Sequence, residues 1–224
     1  MGFRVIGFDA SGPLLTVGYI EDGRLMAVRS SRQPRQAGSQ LVDWACDLAE
    51  DLGRPEGIAV GIGPGSFTGV RVAVTAAKAL AFSWGIPVKG VSSLAAWARA
   101  VPPKSRVVVT SERRGPAYYL GYYWVGDEGP EPLIPDTAIS GALPGIFPVL
   151  DPVWVLGPLA EDEEGLATIG PHARPAFFEM SGVSVALEGQ AALQWGKTDH
   201  PAALAPHYLR VPQAAAERGD TWQS

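Results

Sequence analysis

Cysteine is almost absent: Cys46 is the one thiol in 224 residues. An internal disulfide framework is excluded, and a reducing cytoplasm is the expected location. Histidine is scarce as well. His172, His200 and His207 are widely spaced and form no His-x-x-x-His pair, so no metal centre is expected. No apolar run is long enough to span a bilayer, and Met1 to Ile6 passes straight into a strand pattern without a charged-then-apolar leader. A membrane association is therefore not expected. An excess of positive charge is also missing. A formal net charge of −5 argues against a strongly basic nucleic-acid binder.

What remains describes a globular chain. A hydrophobic share of 46% with 18% charged residues is ordinary for a soluble protein, and 224 residues suffice for one large domain or two small lobes. Charge is uneven along it. Residues 1–100 carry 10 basic and 8 acidic side chains; residues 101–224 carry 8 and 15. Between Gly23 and Val42 stand Arg24, Arg29, Arg32 and Arg35 with no acid. That stretch is either a solvated strand end or a contact for RNA or a partner.

Patterning gives the organisation. Phe3 to Asp9, Leu14 to Ile20 and Arg24 to Ser30 read as strands, with a hairpin turn at Glu21-Asp22-Gly23. A helix follows, N-capped at Ser39, with Leu41, Trp44, Ala45, Leu48 and Leu52 at helical spacing and Gly53 as its stop. Strand Ile58 to Ile62 leads through a glycine turn into a helix from Val70 to Trp84. A short strand to Val91 and a helix capped by Ser92 complete the first lobe. Val101-Pro102-Pro103 marks a boundary, dividing the chain into lobes at 1–100 and 101–224. Beyond it, strands are expected at Arg106 to Thr110, Ala117 to Val125 and Val153 to Leu156, and helices at Ala173 to Met180 and Val185 to Trp195. Six prolines between Gly126 and Pro152 exclude long helices there. Meandering strands followed by alternation imply α/β architecture with mixed sheets.

The segment with most chemical content is Gly61-Ile62-Gly63-Pro64-Gly65-Ser66-Phe67-Thr68-Gly69-Val70-Arg71. Such a strand-to-helix turn is either an anion site or a tight packing joint. It lacks the lysine of a phosphate-binding P-loop, the third glycine of a dinucleotide fingerprint and the glycines of a nucleophile elbow. Asp9 ends the first strand, where a carboxylate either holds metal-bound water or caps a turn. A small kinase or ATPase using Asp9 with Gly65, Ser66, Thr68, Gly69 and Arg71 is thus one reading. A second phosphate hairpin and an adenosine pocket are not evident after residue 100.

Gly63 to Val72, Ala77-Lys78-Ala79-Leu80-Ala81, Val91-Ser92-Ser93-Leu94, Arg113-Arg114-Gly115 and Pro206-His207-Tyr208-Leu209-Arg210 together resemble the TsaB (YeaZ-type) family. The resemblance implies a two-lobed actin, Hsp70 and sugar-kinase type of fold (ribonuclease-H-like). It implies a non-catalytic subunit without catalytic residues, cofactor or metal. Such a subunit pairs with a catalytic TsaD-type paralogue and a TsaE-type ATPase. Together they form N6-threonylcarbamoyladenosine at position 37 of tRNAs that read codons starting with A. tRNA is met only within that complex, and a homodimer is the form available to the isolated subunit. The family pairs through first-lobe helices, which here makes Leu41, Trp44, Ala45, Leu48, Val70, Ala73, Val74, Ala77 and Ala81 the expected interface. Asp9-Ala10-Ser11 in place of Asp-Thr-Ser, Gly38-Ser39 in place of His-Ser, and Ser111-Glu112 before Arg113 depart from the family pattern, each losing a polar group.

Overall fold

The computed structural model describes residues 2–32, 37–114, 117–140, 152–161, 163–178 and 181–209. In chain order these form β1 (Arg4–Asp9), β2 (Leu15–Glu21), β3 (Arg24–Ser31), α1 (Ala37–Leu52), β4 (Gly57–Gly61), α2 (Phe67–Trp84), β5 (Val88–Val91) and α3 (Ser93–Ala98). Then follow β6 (Ser105–Arg114), β7 (Ala117–Val125), β8 (Pro130–Ser140), β9 (Val153–Leu156), α4 (Glu163–Ile169), β10 (Ala173–Pro175) and α5 (Ser181–Gln194).

Two five-stranded sheets result, ordered β3-β2-β1-β4-β5 and β8-β7-β6-β9-β10. Each joins an antiparallel meander to a parallel half. The registers match as well. Val5 faces Gly57 and Phe8 faces Val60, as Arg106 faces Val153 and Val109 faces Leu156. Asp9 and Thr110 therefore hold equivalent places. The chain folds one topology twice, a duplication that no short-period sequence signal reveals.

Several expected bounds move for local reasons. α1 starts at Ala37, which puts Ser39 inside its first turn rather than at its cap. α2 starts at Phe67, because the Ser66 hydroxyl accepts from Gly69 N and caps the helix there. α2 stops at Gly85, whose left-handed φ of 62° closes it. The proline-rich segment contributes β8 through Pro130, Pro132 and Pro135. It is an edge strand, where a missing N–H costs no ladder bond. The helix expected at Ala173 to Met180 is instead β10, which pairs in parallel with β9 and is bounded by Pro171 and Pro175. α4 was not anticipated.

The largest departure is α5. It starts at Ser181, four residues before the expected point, and lies on β1, β2 and β4 of the first sheet. A boundary after residue 100 places it in the second lobe; the packing places it in the first. Glycines make this possible. A Cβ on Gly7 would stand 2.1 Å from Gly182 O, and one on Gly18 would stand 2.4 Å from Val183 N. Gly7 and Gly18 are cross-strand partners, so they form one bare patch on which the helix backbone sits. Val5, Ile20, Ala59, Val183, Val185 and Ala186 bury together around it.

The other face of the sheet is covered by α1 and α2, which bury Leu41, Ala45, Leu48, Val70, Ala73, Val74, Ala77, Leu80 and Ala81 against Ile6, Phe8, Tyr19 and Val60. Tyr19 reaches the Gly53 carbonyl with its hydroxyl at 2.6 Å, and burial pushes its pKa up to about 12. At the start of β1, Arg4 grips Glu56 with its backbone N (2.7 Å), Nε (3.3 Å) and Nη2 (2.7 Å). The hydrogen bond from Arg4 holds the Glu56 carboxyl below its ordinary value. A depressed folded-state pKa contributes stability above the ordinary carboxylate range and loses it as pH falls. Acid unfolding of the native chain is expected to steepen below that range. In Glu56→Gln the extra steepness is expected to disappear, as followed by denaturant midpoints against pH.

Candidate functional site

The glycine turn sits between β4 and α2 and is pressed against the hairpin after β1. A Cβ on Gly65 would lie 2.3 Å from Ser11 O, and one on Gly69 would lie 1.9 Å from Ala10 O. The backbones bond across this contact: Ser66 N donates to Ser11 O at 2.7 Å. On the other side Gly63 N donates to Ser93 Oγ (3.1 Å) and Ser93 N donates to Gly63 O (2.9 Å). His207 N donates to Ile62 O at 2.8 Å, so the C-terminal segment closes the third side. The amide groups of Gly63, Ser66 and Gly69 are thus taken by the chain itself. Of the two readings of this loop, the geometry is that of a packing joint.

Asp9 lies within that joint and is fully buried. Its Oδ1 accepts from Ser11 N (3.2 Å), Ser11 Oγ (2.7 Å) and Ser93 Oγ (3.3 Å). Its Oδ2 accepts from Trp97 Nε1 at 2.9 Å. A Cβ on Gly61 would come within 2.6 Å of Oδ1, so only glycine fits beside the carboxylate. The Trp97 ring lies against Gly12, where an added Cβ would stand 3.0 Å from it. Both oxygens are committed to donors of the chain, which is the arrangement of a structural carboxylate. At the equivalent place in the second sheet, the Thr110 hydroxyl donates to Leu156 O (3.0 Å) and accepts from Leu159 N (3.3 Å). No group of three or more His, Cys, Asp or Glu side chains suited to a metal occurs among the described residues.

A second polar cluster links the lobes. Ser92 caps α3 through Ala95 N (3.1 Å) and donates to Asp136 Oδ2 at 2.5 Å; the Tyr123 hydroxyl donates to the other oxygen. Burial pushes the Asp136 carboxyl up, opposed by these two hydrogen bonds. At the joint around Asp9 a cleft of about 550 Å³ opens, lined by Ser11, Arg32, Ser66, Trp97, Ser111 and Phe177 among others. Its hydroxyls are engaged: Ser111 Oγ with Pro64 O (3.1 Å), Ser11 with Asp9 and Ser66 with Gly69.

The expected anion residues do not converge. Asp9, Gly65, Ser66 and Gly69 share the joint, while Thr68 and Arg71 face outward from α2. The expected partner residues need a correction too. Leu41, Ala45, Leu48, Val70, Ala73, Val74, Ala77 and Ala81 are at most 3% exposed in the chain's own core, and Trp44 is half-buried against it. Their helical spacing marked an inward face, and a sheet of the same chain already covers it. Arg24 and Arg29 are exposed along β3, and exposed Arg32 follows it at the rim of the cleft; Arg35 lies outside the described residues. So do the side chains of Arg113 and Arg114, together with Gly115 and Arg210. Ser93 and Trp97 were not foreseen as partners of Asp9, since nothing in a helix pattern signals which strand end its side chains reach. No helix among the described residues is long and apolar enough to cross a membrane.

Two mixed sheets of one duplicated order, with helices packed on them, define an α/β fold of the actin, Hsp70 and sugar-kinase type. YeaZ from Pseudomonas aeruginosa superposes with a TM-score of 0.76 at 24% identity, covering 92% of this chain and all of that one. The family profile of TsaD, tRNA N6-adenosine threonylcarbamoyltransferase, matches residues 46–142. The chain is 27% identical to the tRNA threonylcarbamoyladenosine biosynthesis protein TsaB of Escherichia coli, over 92% of this chain and 94% of that protein. It is 40% identical to the protein of the same name from Bacillus subtilis, over 42% and 41% of the two. Over nearly its whole length, then, the chain is similar to TsaB (YeaZ-type) proteins.

Proposed function

We propose that the chain acts in tRNA threonylcarbamoyladenosine biosynthesis as a non-catalytic subunit that binds and orders a TsaD-type catalytic paralogue, with a TsaE-type ATPase as third member. The carrying observation is the state of Asp9. Its carboxylate is enclosed by Ser11, Ser93 and Trp97, and in the glycine loop beside it Gly63 N and Ser66 N donate to Ser93 Oγ and Ser11 O. A nucleotide-using enzyme of this class needs that strand end open to metal and phosphate. The cytoplasm is the compartment that fits such a role.

The docking surface of this reading is the outer seam of α1 and α2. Val42, Cys46 and Val72 are half-buried along it, and Phe82 on α2 is 86% exposed with Ala79 beside it. A large aromatic left in water on a helix already packed on its other face suits a helical partner. With the partners supplied, threonylcarbamoylation of tRNA is expected to require this chain, while the chain alone gives no turnover. Ala79→Arg is expected to weaken the heterodimer at least about tenfold with the fold retained. Ala77→Arg is expected to unfold the first lobe, since it drives a charge into the core. Turnover by the isolated chain, or undiminished pairing of Ala79→Arg, would overturn the reading.

A further inference from the structure

The two stretches of the sequence that the packing joint only half explains, Gly63 to Arg71 and Pro206 to Leu209, meet on one surface. The Phe67 and Tyr208 rings stand 5.2 Å apart, tilted by 33°. On α2 the Arg71 guanidinium lies 5.3 Å from the centre of the Phe67 ring. This is a tyrosine–phenylalanine–guanidinium column at the start of α2, with Phe67 36% and Tyr208 47% exposed. Nothing in the fold requires these side chains. The joint beneath is held by Gly65, Gly69, Ser66 and Ser93, and the tail is anchored by His207 N on Ile62 O. Among the described residues, neither the Arg71 guanidinium nor the Tyr208 hydroxyl has a hydrogen-bond or ion-pair partner.

We propose that this column is a stacking platform for an unpaired nucleotide of the tRNA, an inference that rests on the tRNA reading above. An aromatic face accepts any base, and a guanidinium without an acidic partner suits the adjoining phosphate. The rim points the same way. Exposed Thr68 and His207, next to Phe67 and Tyr208 in the chain, carry polar groups fit for sugar and phosphate. The apolar features a protein partner would take, Ala79 and Phe82, lie in the other half of α2. The charge of the first hundred residues agrees, being net +2 where the remainder is net −7.

The test uses the assembled complex with unmodified tRNA, comparing wild type, Phe67→Ala/Tyr208→Ala and Arg71→Gln by tRNA binding across a salt series. Assembly is checked separately by gel filtration. The double variant is expected to assemble normally and bind tRNA about tenfold more weakly. Arg71→Gln is expected to assemble normally and to lower the slope of log affinity against log salt by about 0.7. Variants that assemble and keep wild-type affinity and slope would overturn the proposal. Variants that fail to assemble while circular dichroism shows a folded chain would overturn it too, by making the column a protein contact. Failure of the broader reading looks different: the wild-type complex itself would then neither bind nor modify tRNA.

Discussion

Gly18→Val is expected to lower the thermal midpoint by about 10 °C and to leave α5 undocked, the loss being about 3 kcal/mol. The cause is the absence of any space between helix and sheet. A Cβ at Gly18 meets Val183 N at 2.4 Å, Val183 Cα at 2.5 Å and Gly182 C at 2.7 Å, all backbone atoms that no rotamer change can move. Relief would require lifting α5 off β1 and β2, exposing Val185, Ala186 and Leu193 with the sheet residues they cover. It would also break the buried pairing of Thr16 Oγ1 with Gly182 N and Ser181 Oγ, both at 2.7 Å. Gly7→Ala is expected to act in the same direction, because its Cβ meets Gly182 O at 2.1 Å. Gly38→Ala is the control. Its Cβ would find only Val72 Cγ1 of α2 at 3.8 Å, an ordinary van der Waals contact, and the midpoint is expected to stay or rise slightly. Differential scanning calorimetry with hydrogen exchange on α5 reads both quantities. A Gly18→Val protein with native midpoint and protected α5 amides would show that the helix does not rest on this patch.

Asp9→Leu is expected to cost on the order of 3–5 kcal/mol, since it strips the acceptor from buried donors of Ser11, Ser93 and Trp97. Asp9→Asn keeps one carbonyl acceptor and the shape, and is expected to cost about 1–2 kcal/mol. The two together separate architecture from chemistry. If Asp9 is a structural hub, complexes built with folded Asp9→Asn retain tRNA threonylcarbamoylation within a few-fold, and the isolated chain gives no magnesium-nucleotide heat in calorimetry before or after the change. If Asp9 holds metal, the same variant folds normally and abolishes nucleotide binding. The Trp97 indole supplies an internal report, because its Nε1 hydrogen bond ends on the carboxylate being altered. Its emission is expected to shift in Asp9→Leu and much less in Asp9→Asn.

The reading of the glycine loop turned on contacts that no spacing rule contains. Gly65 and Gly69 are glycines because Ser11 O and Ala10 O occupy the volume a side chain would need, and those atoms belong to a hairpin more than fifty residues earlier. Eight of the nine apolar residues expected to face a partner are periodic because they face a sheet of the same chain, and periodicity carries no label for which surface it meets. The seam that remains exposed is made of residues half in and half out of that pattern, such as Val72 and Phe82.

The sequence by itself determined the element types of the first lobe, the cap at Ser92, the mixed α/β class and the resemblance to TsaB-type proteins. These rest on short-range physics: hydrophobic period, turn chemistry and capping act within a few residues of one another. Tertiary structure alone decided that α5 crosses back to the first sheet, that the two sheets repeat one order, that Trp97 and Ser93 close over Asp9, and that Phe67 meets Tyr208. Each of those depends on which distant surfaces fill the same space, and close packing between segments far apart in the chain leaves no local trace in either of them.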